Sequence, residues 1–376
     1  MMNNASCLSI LAAGGVCEAY SQAVLQHYDY LRFRDCALAV GGIEALGLLA
    51  GLLHPKSGFW VVVARLNEGF GGLKKLKGNV NHMFKLRDVL QEAQQNGVAI
   101  GHFNVSDLVL LKAVFAAARE LNVPVLVGLS EGEREFVGTR QIAALVQSLR
   151  EEFDFPIFLN ADHTHSLAKG IEAAKAGFDA IVFDRSALPF EENARQTKQA
   201  VEALKAIHPA MLVEGEIGDI GSGSEIHDSA PDLSKGLSSA EEAKQFVETT
   251  GVDILAPAVG NMHGLLRSMV KGETRKRLDI QRISGIKKAA RVLLTLHGGS
   301  GTDDEDLRKA IRAGINIVHV NTELRVAWRQ GLELGLGKQP DEVVPYKILP
   351  FVVNSVREVV GSRLRLFNGR QMVQRA

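Results

Sequence analysis

From residue 85 onward the chain repeats one pattern, a short run rich in Val, Ile, Leu and Phe followed by a longer amphipathic stretch. The eight apolar runs are Val98–Asn104, Val123–Ser130, Pro156–His163, Ala180–Ser186, Met211–Gly218, Ile254–Asn261, Val292–Gly299 and Ile315–Thr322. Each is mostly apolar at both alternating positions, which is how a strand buried on two faces reads. Ser239 with Glu242, and Thr302 with Glu305, fit the Ser/Thr-x-x-Glu signature of a helix start. Strands alternating with helices demand parallel pairing through right-handed crossovers, and eight such units close into an α/β fold of the (β/α)8 TIM-barrel type. A doubly wound open sheet is the alternative.

Charge and composition narrow the partners. The 376 residues carry 43 basic and 43 acidic side chains, so bulk charge holds the chain to neither nucleic acid nor anionic lipid. With 46% hydrophobic and 23% charged residues it is composed like a globular protein, which excludes a disordered or collagenous chain. All three cysteines (Cys7, Cys17, Cys36) lie in the first 36 residues, too few for a disulfide framework. The apolar run Cys36–Leu53 is interrupted by Glu44, Gly41, Gly42 and Gly47, which argues against a membrane span. No Lys or Arg precedes the apolar stretch of residues 1–20, as a secretory signal would require, so the cytoplasm is the expected compartment.

The runs end in polar groups: Asn104, Ser130, Asp162 with His163, Asp184, Glu214 and Glu216, Asn261 with His263, His297 through Ser300, and His319 with Asn321 and Thr322. In a barrel these C-terminal strand ends converge on one mouth, where active sites of this fold lie. His163, His263 and His297 stand on different strands and fit a three-ligand catalytic zinc site with an open position. Asp162 precedes His163 and either faces substrate or orients an imidazole. Asp184, Glu214 and Glu216 either hold a second cation, orient the ligands or form structural ion pairs. The turn His297-Gly298-Gly299-Ser300-Gly301 lies between a strand and a helix, and Asn321-Thr322 opens the next helix. Two such anion-receptive turns after the last two strands point to a phosphorylated substrate. The glycine- and serine-rich loop from Gly218 to Glu225 sits over the same mouth as a lid or an ordinary surface loop.

These residues occur in motifs. From Met83 to about Arg370 the chain resembles the class II, metal-dependent ketose-bisphosphate aldolases, with Gly-His-Phe-Asn104, Asn160-Ala-Asp162-His163, Val213-Glu214-Gly-Glu216-Ile-Gly218, Gly-Asn-Met-His263-Gly264, Leu296-His297-Gly-Gly-Ser-Gly301 and Asn321-Thr322-Glu-Leu-Arg325. The resemblance implies reversible cleavage of a ketose 1,6-bisphosphate, fructose or tagatose, into dihydroxyacetone phosphate and glyceraldehyde 3-phosphate through a metal-stabilised enediolate. It implies that His163, His263 and His297 ligate Zn2+, that Asp184 and Glu216 form a second or alternate cation site, and that Asp162 exchanges a proton with the substrate hydroxyl. Gly264, Gly298, Gly299, Ser300, Asn321 and Thr322 would bind the dihydroxyacetone phosphate half, and Ser130 the aldehyde half. The family also implies a homo-oligomer. No Schiff-base lysine is needed, and none stands at the eight strand ends.

Two departures bear on substrate choice. His319 occupies a substrate-contacting place usually held by Asn in the family, and an imidazole titrates near neutrality. The loop glutamate that moves the carbanion proton is best matched by Glu225. Two other functions fit the pattern less well. A zinc hydrolase barrel would draw on a His-x-His pair at the first strand, whereas here His163-Thr-His165 lies on the third. A non-catalytic sugar-phosphate-binding barrel need not keep three histidines together with Asp162. The expected domains are an N-terminal extension over residues 1–82, translated upstream of a misassigned start, and a barrel with closing helices over residues 83–376.

Overall fold

Runs of branched and long aliphatic side chains become strands when both of their faces find apolar cover, and a ring of helices around a barrel supplies it. The computed structural model describes residues 84–369 apart from 222 and 230–235. Among these residues eight parallel strands close on themselves: β1 (Ile100–Asn104), β2 (Val125–Leu129), β3 (Ile157–Thr164), β4 (Ala180–Phe183), β5 (Leu212–Ile217), β6 (Ile254–Pro257), β7 (Leu293–Leu296) and β8 (Ile315–Val320). Each pairs with the next in chain order, and β8 pairs with β1, with His102 opposite His319. The closed barrel is the expected architecture, and the open sheet is excluded.

Several expected runs extend past the strands they contain. β4 stops at Phe183 because Asp184 turns its carboxylate onto the Ser186 amide at 3.0 Å, an Asx turn that diverts the backbone from the ladder. The overhanging residues form the loops of the mouth.

Alternate residues point inward and change character along the barrel axis. Ile100, Leu126, Phe158, Ala180, Leu212, Ile254, Leu293 and Ile317, one from each strand, form an apolar layer against Leu86, Leu90 and Ala93 of the helix Leu86–Gln95. That helix plugs the N-terminal end. Two residues further along, the interior turns polar, with His102, Asn160, Glu214, Thr295 and His319 all buried. The outward positions, such as Val125, Val127, Ile181 and Val213, pack with the surrounding helices in the main core. The C-terminal helix Pro345–Phe367 lies against the helices Thr322–Lys338 and Leu108–Leu121.

Helix starts agree with the sequence at one of two sites. Ser239 forms the expected capping box, accepting from Glu242 N at 3.1 Å while Glu242 accepts from Ser239 N at 2.9 Å. At the other, Asp303 is the cap, because its Oδ1 reaches the amides of Glu305 and Asp306 at 3.1 Å each. Thr302 turns away and donates to Gly298 O at 3.3 Å.

Residues 1–82, with their cysteines and the apolar run Cys36–Leu53, lie outside the described residues. Among the described residues no helix is long and apolar enough to cross a membrane.

Candidate active site

A local irregularity builds the centre of the mouth. Between Ala161 and Thr164 the β3–β4 register shifts, and His163 takes a positive φ of 32°, a bulge that turns two consecutive side chains toward one cleft. Arg134, buried beneath it, donates to Leu129 O at 2.6 Å, Asp162 O at 3.1 Å and Thr164 Oγ1 at 3.0 Å. The cleft is lined by Asp162, His163, His263, Gly264, Gly298, Ser300, His319, Asn321 and Thr322, together with Asn104 and Ser224.

Each of the three expected ligand histidines has one ring nitrogen committed elsewhere. His163 Nδ1 meets Asp184 Oδ2 at 2.8 Å, His263 Nδ1 meets Gly221 O at 2.8 Å, and His297 Nε2 meets Glu214 Oε1 at 2.7 Å. Because those partners only accept, the proton of each neutral ring sits on the committed nitrogen, and the other nitrogen presents a lone pair. One ring nitrogen from each of His163, His263 and His297 lies within 4.8 Å of the other two. His163 Nε2 and His263 Nε2 face each other at 3.1 Å, and His297 Nδ1 is buried without a hydrogen bond. Lone pairs brought together in this way need a proton or a cation between them, so the donor set fits a metal such as zinc.

The charges around the histidines favour a cation too. Burial alone would push the His163 imidazole down, but Asp162, Asp184 and Glu216 carry it up to about 9. His263 falls to about 4, through burial first and His163 second. Asp184 uses its carboxylate on His163 and on the Ser186 hydroxyl at 2.7 Å, so it orients the His163 ring. Glu216 Oε2 lies 3.2 Å from His297 Nδ1 and 3.9 Å from His163 Nδ1, so His163, Asp184 and Glu216 form a second cluster of metal-capable atoms.

Asp162 is 4% exposed. Its Oδ2 accepts from Asn104 Nδ2 at 2.9 Å, and its Oδ1 has no hydrogen-bond partner, standing 3.9 Å from His163 Nε2 and 3.4 Å from His319 Nδ1. Burial would raise its pKa, but His163, His319 and His102 outweigh it and hold the carboxyl well below its usual range. His319 is stacked between His102, 3.5 Å away, and His297, 4.2 Å away. Burial, with His102 and His297 adding to it, keeps the His319 ring neutral.

The other expected residues fall in differing places. Gly264 (φ 72°) and Gly298 (φ 63°) sit where a Cβ would strike His227 and the Met262 carbonyl respectively, so only glycine lets these turns close on the cleft. Ser300 Oγ accepts from the Asn321 and Glu323 amides at 3.3 Å each and so caps the helix that Thr322 begins. Gly299 lies beside the cleft and donates its N–H to His319 O at 2.9 Å. Ser130 caps the helix Glu131–Val137 and is half-buried, outside the cleft lining. Glu225 is exposed on the loop, whose Ser224 does line the cleft. His165 turns outward with 56% of its side chain exposed, which removes the paired histidines of the hydrolase alternative.

The family model for class II fructose-bisphosphate aldolases matches residues 84–371. The chain belongs to that family. The fructose-bisphosphate aldolase of Thermus caldophilus is 34% identical over 301 residues, covering 74% of this chain and 96% of that one. That of Geobacillus stearothermophilus is 33% identical over 290 residues, covering 76% and 96%. Among solved structures, the YdjI aldolase of Escherichia coli K12 superposes with a TM-score of 0.61 at 27% identity, over 75% of this chain and 95% of that one. The protein is thus an aldolase, a lyase of carbon–carbon bonds.

Sequence reasoning missed several residues of this aldolase site. Glu133 accepts from Asn104 Nδ2 at 2.9 Å and from Arg325 Nη2 at 2.8 Å, and Arg325 Nη1 also donates to Ser224 O at 3.0 Å. Arg325 closes a motif that the sequence displays, and Glu133 completes a Ser130-x-x-Glu133 capping box whose Ser/Thr-x-x-Glu pattern is legible, whereas Arg134 carries no local signal. Glu214, for which the sequence offers a second cation, an orienting role or a structural ion pair, contacts His297 Nε2 at 2.7 Å and also accepts from Thr295 Oγ1 at 2.7 Å.

Proposed function

We propose that this protein is a zinc-dependent aldolase that reversibly cleaves fructose 1,6-bisphosphate into dihydroxyacetone phosphate and glyceraldehyde 3-phosphate, with tagatose 1,6-bisphosphate as the competing substrate. One observation carries the reading: three imidazole nitrogens, each on a ring whose opposite nitrogen is held by a partner, converge beside a buried carboxylate with one free oxygen. The names of the relatives support the substrate class. His163, His263 and His297 would hold the zinc. When bound, the metal supplies Lewis acidity at the ketone oxygen, where negative charge develops as the C3–C4 bond breaks.

The chain's own groups do the rest. Asp162 accepts the C4 hydroxyl proton on Oδ1 while Asn104 holds Oδ2. His319 presents its unpartnered Nε2 to the substrate. Gly264, Gly298, Gly299, Ser300, Asn321 and Thr322 receive the phosphate of the dihydroxyacetone half, at turns completed by a helix N-terminus. Ser130 contacts the aldehyde half. Glu225 ends the loop that begins at Gly218 and returns a proton to the triose carbon. Asp184 and Glu216 serve as an alternate cation position beside His163.

Chelation is expected to abolish cleavage and added zinc to restore it, while borohydride with substrate traps no adduct. Activity that survives complete metal removal overturns the proposal. Fructose and tagatose bisphosphates differ at C4, the centre whose hydroxyl meets Asp162, so kcat/KM for each in coupled assays identifies the ketose. We also propose a cytoplasmic homo-oligomer. Exposed Phe136, Val343 and Tyr346 offer apolar surface that such an assembly would cover, and light scattering tests it.

A further inference from the structure

Lys276 is 3% exposed, and its Nζ donates to Met262 O at 2.8 Å, Gly264 O at 2.7 Å and Gly298 O at 3.0 Å. The acceptors come from two turns, one around His263 and one directly after His297. Three carbonyls match the three N–H groups of an ammonium, whereas a neutral amine has only two. Burial pushes the group down to about 7, against which Glu323 pulls it up. Burying a cation costs several kcal/mol unless the charge is answered. Here three carbonyl dipoles answer it from one side.

The other side of those turns is the cleft. Gly264 and Gly298 line it with Ser300, Asn321 and Thr322, the residues assigned above to the phosphate. The Lys276 backbone grips the same region, donating to Gly301 O at 2.9 Å and accepting from Asp303 N at 3.1 Å. Both turns are glycines in left-handed conformations, with little intrinsic preference for a fixed shape. The ammonium supplies what they lack.

We propose that Lys276 is a positioning residue of the phosphate site: its ammonium is a built-in monovalent cation in a three-carbonyl cage, locking the two turns and offsetting the phosphate charge across them. This rests on the reading that the substrate is phosphorylated. The aldolase therefore needs no free alkali cation at this place. Removing the side chain leaves a carbonyl cage that K+ or NH4+ can enter and tetramethylammonium cannot.

The test uses the full zinc-loaded chain as wild type, K276M and K276Q, in chloride salts of K+, NH4+ or tetramethylammonium at one ionic strength. Inorganic phosphate affinity is measured by calorimetry, and KM and kcat with fructose 1,6-bisphosphate. The wild type is expected to behave alike in all three salts. In tetramethylammonium K276M should lose about tenfold or more in phosphate affinity and in KM, with a smaller change in kcat, as loss of a charged anchor predicts. K+ or NH4+ should recover both.

Unchanged affinity and KM in K276M, an equal loss in all three salts, or a wild type that requires K+ each overturns the proposal. If K276M does not fold, K276Q decides by the same comparison, since its amide keeps two N–H donors without charge. Phosphate titration requires no turnover. A wild type that binds phosphate but cleaves neither bisphosphate tells against the reaction alone.

Discussion

Asp162 and His163 are neighbours in sequence with different partners, and that division fixes what each substitution does. Asn at 162 keeps the shape and the bond to Asn104 but cannot accept a proton on Oδ1. D162N is expected to lower kcat about 10²–10⁴-fold with zinc content and far-UV circular dichroism unchanged. Glu214 reaches the cleft only through His297 Nε2. E214Q should weaken zinc affinity by about 10–100-fold, read by competition with a chromogenic chelator, because an amide holds the tautomer and basicity of the imidazole less firmly. Legibility at this scale followed position in the chain. His163, His263 and His297 announced themselves by ending apolar runs, as did Asp162. Glu133, Arg134 and Lys276 did not, because their roles depend on contacts across the fold that no local pattern encodes. For Asp184 the sequence offered a second cation site, an orienting role or an ion pair, and its 2.8 Å contact with His163 Nδ1 supports the orienting role.

Elements carry the next set of consequences. The bulge in β3 holds His163 at positive φ, and Arg134 ties it to β2 through three buried hydrogen bonds, to Leu129 O, Asp162 O and the Thr164 hydroxyl. R134A should cost about 2–4 kcal/mol in urea unfolding, because buried acceptors lose their donor, and should lower kcat by misplacing Asp162 and His163. Asp306, buried in the helix Asp304–Ala313, accepts from Arg277 at 2.7 and 3.0 Å and from Leu278 N at 3.0 Å. Arg277, foremost, holds the Asp306 pKa below its ordinary 3.8, despite burial. The unfolded chain then binds the proton first as pH falls, so the stabilisation is fully present above about pH 4 and lost in acid. D306N should be less stable than wild type by about 1–3 kcal/mol at pH 7, and the difference should shrink below pH 4 in parallel melts. All eight strands were legible because each run is short, apolar and followed by a helical stretch. The strand ends were not, since Asp184, Asn261 and Gly299 extend the composition but leave the ladder. The Thr302 cap failed because a carboxylate one residue later reaches two amides.

For the whole molecule, stability and activity share one mouth. A metal bound only by the native state stabilises it by mass action, so chelation should lower the thermal midpoint as well as turnover, by about 4 kcal/mol at a thousandfold excess over Kd. The family match begins at residue 84. A chain starting at Met83 is therefore expected to fold and to cleave the bisphosphate with unchanged kcat, and insolubility or lost turnover would refute this. The eightfold alternation made the barrel legible at this scale, but the plug beneath it was not. Leu86, Leu90 and Ala93 read as any amphipathic stripe until the eight inward residues they cover are known. That plug has a consequence in time. Of the described elements the Leu86–Gln95 helix is synthesised first, yet its floor includes Ile317 of β8, the last strand made. Its apolar stripe stays without shelter while seven strands emerge, and closing the ring is the event that hides it.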